Sequence, residues 1–196
     1  MPEFYDQGTC KYQRKAQPYL AAIASGVRDD TASRSFLLEG TEFARAYAGA
    51  KPLWQEQWKR RDASNSLQCP FWSNYWYEPC SGCNCRINNS VSMEVDAIFF
   101  LESAEKNTLA VHVEMKLDRE KLSVGQAEAY RPRAACFRDQ RRERKTLLPH
   151  HHFVTVLFCG LGTVDTEVRK HFDRLIEHDA ARKIFPGYPQ YGCHDT

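Results

Sequence analysis

The order and character of the apolar runs predict an α/β chain, a short mixed sheet flanked by helices. Three observations lead there. Two apolar runs, Val95 to Leu101 and Leu109 to Leu117, are separated by a turn at Lys106-Asn107. A long polar, periodic segment, Leu122 to Lys145, follows them. A third apolar run, Phe153 to Gly160 (FVTVLFCG), comes next and reads as a buried strand.

The elements follow in order. Ser35 to Gly49 reads as a helix, with Phe36, Leu37, Phe43 and Tyr47 as its apolar contacts, Gly40 weakening it and Gly49 stopping it. Trp54 to Arg61 extends it or forms a second helix. Cys69 to Asn89, dense in Cys, Asn, Ser and Gly, reads as an irregular knuckle. An edge strand within Arg86 to Met93 has only a thin signal. The run from Val95 is apolar on both sides. The run from Leu109 alternates, with His112, Glu114 and Lys116 on one face and Val111, Val113 and Met115 on the other. Leu122 to Lys145 is mostly helical, with a kink or restart at Pro132. Glu167 to Ile184 is expected as a C-terminal helix carrying Val168, Phe172, Leu175 and Ile176, and the tail from Pro186 is loop-like.

At 196 residues the chain suits a single domain, 1–196, with the knuckle at 69–89 and a catalytic core at 94–160. Apolar residues make up 42%, enough for a core. Net charge is +2, so any nucleic-acid footprint must be local. Met1 to Tyr12 lacks the apolar core of a signal peptide, and no run approaches membrane-span length. A soluble, cytoplasmic protein is expected. Its eight cysteines are then expected to be reduced thiols or metal ligands rather than disulfides.

The chemistry concentrates between Glu94 and Tyr130. Asp96 opens one strand, and Glu114-Met115-Lys116 lies on the next. A hard cation such as Mg²⁺ takes oxygen ligands and keeps several waters. Asp96 and Glu114 offer two carboxylates and the Met115 backbone carbonyl a third oxygen. Strand alternation puts Glu114 and Lys116 side by side, and antiparallel pairing brings Asp96 near Glu114. Such a metal polarises a phosphate and acidifies a bound water. Lys116 can orient that water or offset developing charge. Glu-x-Lys alone is more often an ordinary salt bridge, and the upstream Asp is what raises it above that. Gln126 and Tyr130, four apart on a helix, share one face.

Asp96, seventeen residues, then Glu114-x-Lys116, with Gln126-x-x-x-Tyr130 opening the following helix, resembles the PD-(D/E)XK nuclease superfamily and its RecB-like exonuclease branch. The resemblance covers roughly Ser35 to Gly160 and implies a restriction-endonuclease-like core, ordered helix, three strands, helix, strand. It implies Asp96 and Glu114 as ligands of Mg²⁺ or Mn²⁺, Lys116 as catalytic, and Gln126 and Tyr130 against the substrate strand or bracing the site. It also implies an acid on the first helix, for which Glu42 is chosen with Glu39 in reserve. Val95 stands where the motif has proline.

Beyond the motif, Arg131 to Lys145 holds seven cations (Arg131, Arg133, Arg138, Arg141, Arg142, Arg144 and Lys145) against Asp139 and Glu143. Arg131, Arg133, Arg138, Arg141 and Arg142 are the candidate phosphate contacts, against the usual reading of a solvated helix face. Cys80-x-x-Cys83-x-Cys85 with Cys69 is a candidate structural Zn²⁺ site; an iron–sulfur cluster or free thiols are the alternatives. Cys136 and Cys159 read as core. Phe71, Trp72, Tyr75, Trp76 and Tyr77 pack the knuckle or stack bases, packing being favoured. His150-His151-His152 reads as an exposed turn, and His112 as a structural histidine near the site.

The expectation is a metal-dependent deoxyribonuclease acting on DNA, working alone, as a homodimer or with a partner protein. The competing expectations are a non-catalytic nucleic-acid-binding or assembly module on the same fold, and a small metalloprotein whose knuckle is the active element.

Overall fold

The computed structural model describes residues 15–63, 85, 95–117, 120–139, 147–160 and 164–190. The knuckle apart from Cys85, the 86–93 segment, the aromatic run at 71–77, and residues 140–146 with Arg141 and Arg142 lie outside them.

The chain folds as an α/β unit, a five-stranded mixed sheet flanked by helices. Helix α1, Gln17–Asp29, opens with Pro18, whose missing N–H costs nothing in a first turn. Leu20, Ile23 and Val27 recur on one face and are completely buried, each contributing about 1.5–3 kcal/mol of apolar transfer. Asp30 separates α1 from α2, Thr31–Leu38. Its N–H donates back to the Gly26 carbonyl, and its carboxylate caps α2 by accepting from Ala32 N (3.1 Å) and Ser33 N (2.8 Å). The expected helix from Ser35 to Gly49 is therefore displaced. It begins at Thr31 because Asp30 caps it, and it ends at Leu38 because Gly40 turns left-handed (φ +77°). Residues 41–49 are successive turns.

Strand β1, Lys51–Pro52, forms one edge, where a proline needs no ladder donor. Helix α3 spans Trp54–Ala63. Strands β2, Ala97–Glu102, and β3, Thr108–Met115, pair antiparallel, with Ala97 opposite Val113 and Glu102 opposite Thr108. Lys106, at φ 66°, turns the chain between them. Helix α4, Gln126–Arg138, carries the chain to β4, His152–Cys159, which lies parallel to β3. The expected helix from Glu167 to Ile184 is instead three elements: α5, Thr166–Arg169; β5, Arg174–Glu177; and α6, His178–Ile184. Strand β5 adds parallel to the β4 edge, and those backbone bonds override the local helical spacing.

Each face of the sheet has its own core. Phe99, Val111, Val113, Val156 and Phe158 face α1, α2 and α6. Ile98, Phe100, Ala110 and Leu157 face Ala127, Tyr130 and Phe137 of α4. Helix α4 thus covers the polar face of β3, so His112 and Glu114 are both buried. Among the described residues, no helix is long and apolar enough to cross a membrane.

Candidate active site

Antiparallel pairing brings the start of β2 and the end of β3 to the same end of the sheet. The register, continued one step beyond Ala97 and Val113, sets Asp96 opposite Glu114. Asp96 is buried, and its Oδ2 accepts the Met115 N–H at 2.7 Å. Glu114 is 2% exposed. Its Oε1 accepts from Gln126 Nε2 at 2.7 Å and pairs with Lys116 Nζ at 2.8 Å, while its Oε2 accepts the Tyr130 hydroxyl.

The turn into α4 sets the orientation of Gln126. Gly125 is left-handed (φ 76°), and the Ser123 N–H donates to Gln126 Oε1 at 3.0 Å. With the amide oxygen so engaged, the amide nitrogen faces Glu114. One helical turn on, Tyr130 reaches the other carboxylate oxygen. Val124, beside this turn, is 95% exposed and offers an apolar side chain at the rim, which sequence reasoning did not single out.

Charge explains the titration behaviour. Burial alone depresses the Lys116 ammonium, but Glu114, with smaller help from Asp96 and Glu120, outweighs it and holds Lys116 above its ordinary range. Burial pushes the Tyr130 phenol well up, and the Glu114 and Asp96 carboxylates push the same way. Tyr130 is therefore a hydrogen-bond donor at any working pH. Two buried carboxylates face the Lys116 ammonium, and the buried Arg133 guanidinium lies behind them over the Tyr130 ring. Among the described residues no three His, Cys, Asp or Glu side chains converge. A cation here would rest on two carboxylates, a backbone carbonyl and water, as Mg²⁺ commonly does.

Asp96, Glu114, Met115, Lys116, Gln126 and Tyr130 are thus brought together. Glu42 is not. It is exposed and lines a cavity of about 300 Å³ with Arg131, Val154, Phe172 and Asp173. Val154 lies three residues before Leu157, the partner of Glu114, which is about 10 Å along the strand. The reserve acid, Glu39, pairs with Arg174 at 2.7 Å. No described helix carries either acid to the site.

Arg133 also departs from expectation. It is 2% exposed, donates to the Ala129 carbonyl at 3.0 Å and lies over the Tyr130 ring at 4.8 Å, so it braces α4 and does not face a phosphate from the surface. Arg131 is exposed and paired with Asp173; Arg138 pairs with Asp139 at 2.8 Å. Cys85 is buried and disulfide-bonded, against the expectation of reduced thiols, and a disulfide sulfur is not the thiolate a zinc site requires. Cys69, Cys80 and Cys83 lie outside the described residues. Cys136 and Cys159 are buried, as expected. The histidine run is not simply an exposed turn: His151 is exposed, but His150 is buried against Phe100 (5.4 Å between centroids) and His152 packs on Phe43 (5.0 Å). His112 is buried beside Phe137.

One contact to the site comes from far along the chain. His178 Nε2 lies 3.0 Å from the Lys116 carbonyl. Sixty-two positions separate the two residues, and no spacing rule joins them.

Compared with known families, curated proteins and solved structures, the chain matches none, so the geometry of the site carries the functional reading.

Proposed function

We propose that this protein is a metal-dependent nuclease hydrolysing DNA phosphodiester bonds, with a PD-(D/E)XK-type site on a restriction-endonuclease-like core. The single observation that carries the reading is the convergence on Glu114. Asp96, just before β2, lies opposite Glu114 in the extended register and bonds the neighbouring Met115 N–H; Lys116, just beyond β3, pairs with Glu114, and Gln126 and Tyr130 hold both its oxygens. The antiparallel trio β1, β2 and β3, followed by α4 and the parallel β4, supports the same reading, although α3 is inserted between β1 and β2.

Asp96, Glu114 and the Met115 carbonyl would hold Mg²⁺ or Mn²⁺. The fit is supported by the two adjacent buried carboxylates and by the Met115 N–H, which is bonded to Asp96; an extended residue directs its carbonyl to the same side as its N–H. Four lone-pair positions on Glu114 receive three donors, which leaves one for a cation. When bound, the metal supplies Lewis-acid polarisation of the phosphate and a more acidic water. The chain's own residues do the rest. Gln126 and Tyr130 hold the Glu114 carboxylate in one rotamer. Lys116 presents an ammonium beside it, able to orient an attacking water and offset charge on the phosphoryl oxygens. Arg131, exposed, and Arg138, half-buried, on the flank of α4, would steer the phosphate backbone.

The test is cleavage of supercoiled plasmid and of labelled single- and double-stranded DNA with Mg²⁺, Mn²⁺ or EDTA, comparing wild type with Lys116→Ala. Metal-dependent cutting that drops at least about 100-fold in the variant is expected. Binding without cutting in both proteins would replace this reading with the non-catalytic nucleic-acid-binding module.

A further inference from the structure

We propose that His178 is a positioning residue for Lys116, pinning the backbone of the lysine so that its ammonium meets Glu114. The catalytic consequence rests on the nuclease reading; the geometry does not.

Strand β3 ends at Met115, and Lys116 is the first residue beyond it. Its N–H still donates to the Phe158 carbonyl at 2.9 Å. Its carbonyl lies past the ladder, where a buried acceptor needs another partner. His178, the first residue of α6 and 1% exposed, donates to it from Nε2 at 3.0 Å. An extended residue sends its N–H and its carbonyl to the same side. Both bonds therefore hold Lys116 from the β4 side, and the pleat directs its side chain to the face that carries Glu114.

His178 is itself fixed. A carbonyl only accepts, so Nε2 carries the proton, and in the neutral ring Nδ1 accepts from the Tyr188 hydroxyl at 2.8 Å. Burial, with Tyr19 and Cys159 adding to it, pushes the Tyr188 phenol far up, which keeps it a donor. Tyr19 packs on both rings, 5.5 Å from His178 and 5.2 Å edge-on to Tyr188. The imidazole cannot swing away without breaking this aromatic cluster. Without it, one of the two backbone bonds of Lys116 is lost at a strand end, where fraying costs least. Losing an outer partner that orients a reacting group typically costs about 10–100-fold, and displacements of about 1 Å cost on that scale too.

Full-length wild type is compared with His178→Phe, His178→Gln and Tyr188→Phe. Amide hydrogen exchange at Met115 to Leu117 is read without substrate, and kcat and KM for DNA cleavage are read with Mg²⁺. His178→Phe is expected to speed exchange at these amides and to lower kcat about 10–100-fold with KM little changed. His178→Gln, whose amide can donate at the same place, is expected to restore kcat to within a few-fold, and Tyr188→Phe to fall between. Wild-type exchange and kcat in a folded His178→Phe protein, or a glutamine variant as poor as phenylalanine, overturn the proposal. Should His178→Phe not fold, Tyr188→Phe decides: wild-type exchange and kcat there overturn it. If Lys116→Ala still cuts DNA, the nuclease reading fails, while the exchange data still decide the pin.

Discussion

Glu114 is a buried carboxylate held by three donors, and much of the site's design is contained in it. An ionised carboxylate is costly to bury, and only full hydrogen bonding offsets that cost. Tyr130→Phe removes one charge-assisted bond and leaves the ring contact with Phe172 at 5.0 Å. It should lower the unfolding free energy by about 2 kcal/mol, measured by urea denaturation; an unchanged midpoint would mean the hydroxyl is dispensable. This group was legible in the sequence because its information is local. Period-two alternation joins Glu114 to Lys116, and a four-residue step joins Gln126 to Tyr130. Continuing that step by three reaches Arg133, and the same periodicity that turns Tyr130 inward turns Arg133 inward too. Its burial was readable there and was masked by the density of arginines around it. Glu42 failed for another reason: its position depends on where the helix ends, and Gly40 ends it early.

At the scale of elements, close packing decides what propensity leaves open. Gly26 sits inside α1, where alanine is worth about 1 kcal/mol more by helix propensity. A Cβ there would come within 2.7 Å of the Phe185 ring and 2.9 Å of Ser33 Oγ. Overpacking of that kind costs about 1–3 kcal/mol. Gly26→Ala should therefore lower the melting temperature despite the better propensity, and a rise would show that α1 can slide off α2 and α6. Helix α1 lies outside the elements expected from the sequence, although Leu20, Ile23 and Val27 at three- and four-residue steps behind Pro18 are an adequate signal. Strand β5 is different. Val168, Phe172, Leu175 and Ile176 do recur at helical spacing. Only the open edge of β4, paired at Val156 with Arg174 and at Cys159 with Glu177, draws the segment into the sheet.

At the scale of the molecule, the buried histidines make the fold sensitive to acid. His112 and His150 lie beneath α4, with ring centroids 6.4 Å apart. Burial holds both below their ordinary value of 6.5; His150 and Arg133 add to the effect at His112, as Arg138 does at His150. Both take up a proton less readily when folded, whereas the unfolded chain takes up protons below about pH 6.5. Their contribution is thus fully present above pH 6.5 and is lost as the pH falls from there toward the folded values. Each group steepens the decline by up to about 1.4 kcal/mol per pH unit. Urea unfolding between pH 7.5 and 4.5 should show a shallower decline for His112→Leu than for wild type, and equal slopes would refute the assignment.

Within this protein, the sequence alone determined the alternation of elements from Ala97 to Cys159 and the acid, Glu-x-Lys and Gln-Tyr residues of the site. Those features arise from interactions along a few neighbouring residues, where spacing and residue type are sufficient. Tertiary structure alone decided that β5 is a strand and that His178 reaches the Lys116 carbonyl. Each depends on a partner distant in sequence, and no local periodicity records which unpaired carbonyl, sheet edge or ring the folded chain will bring alongside.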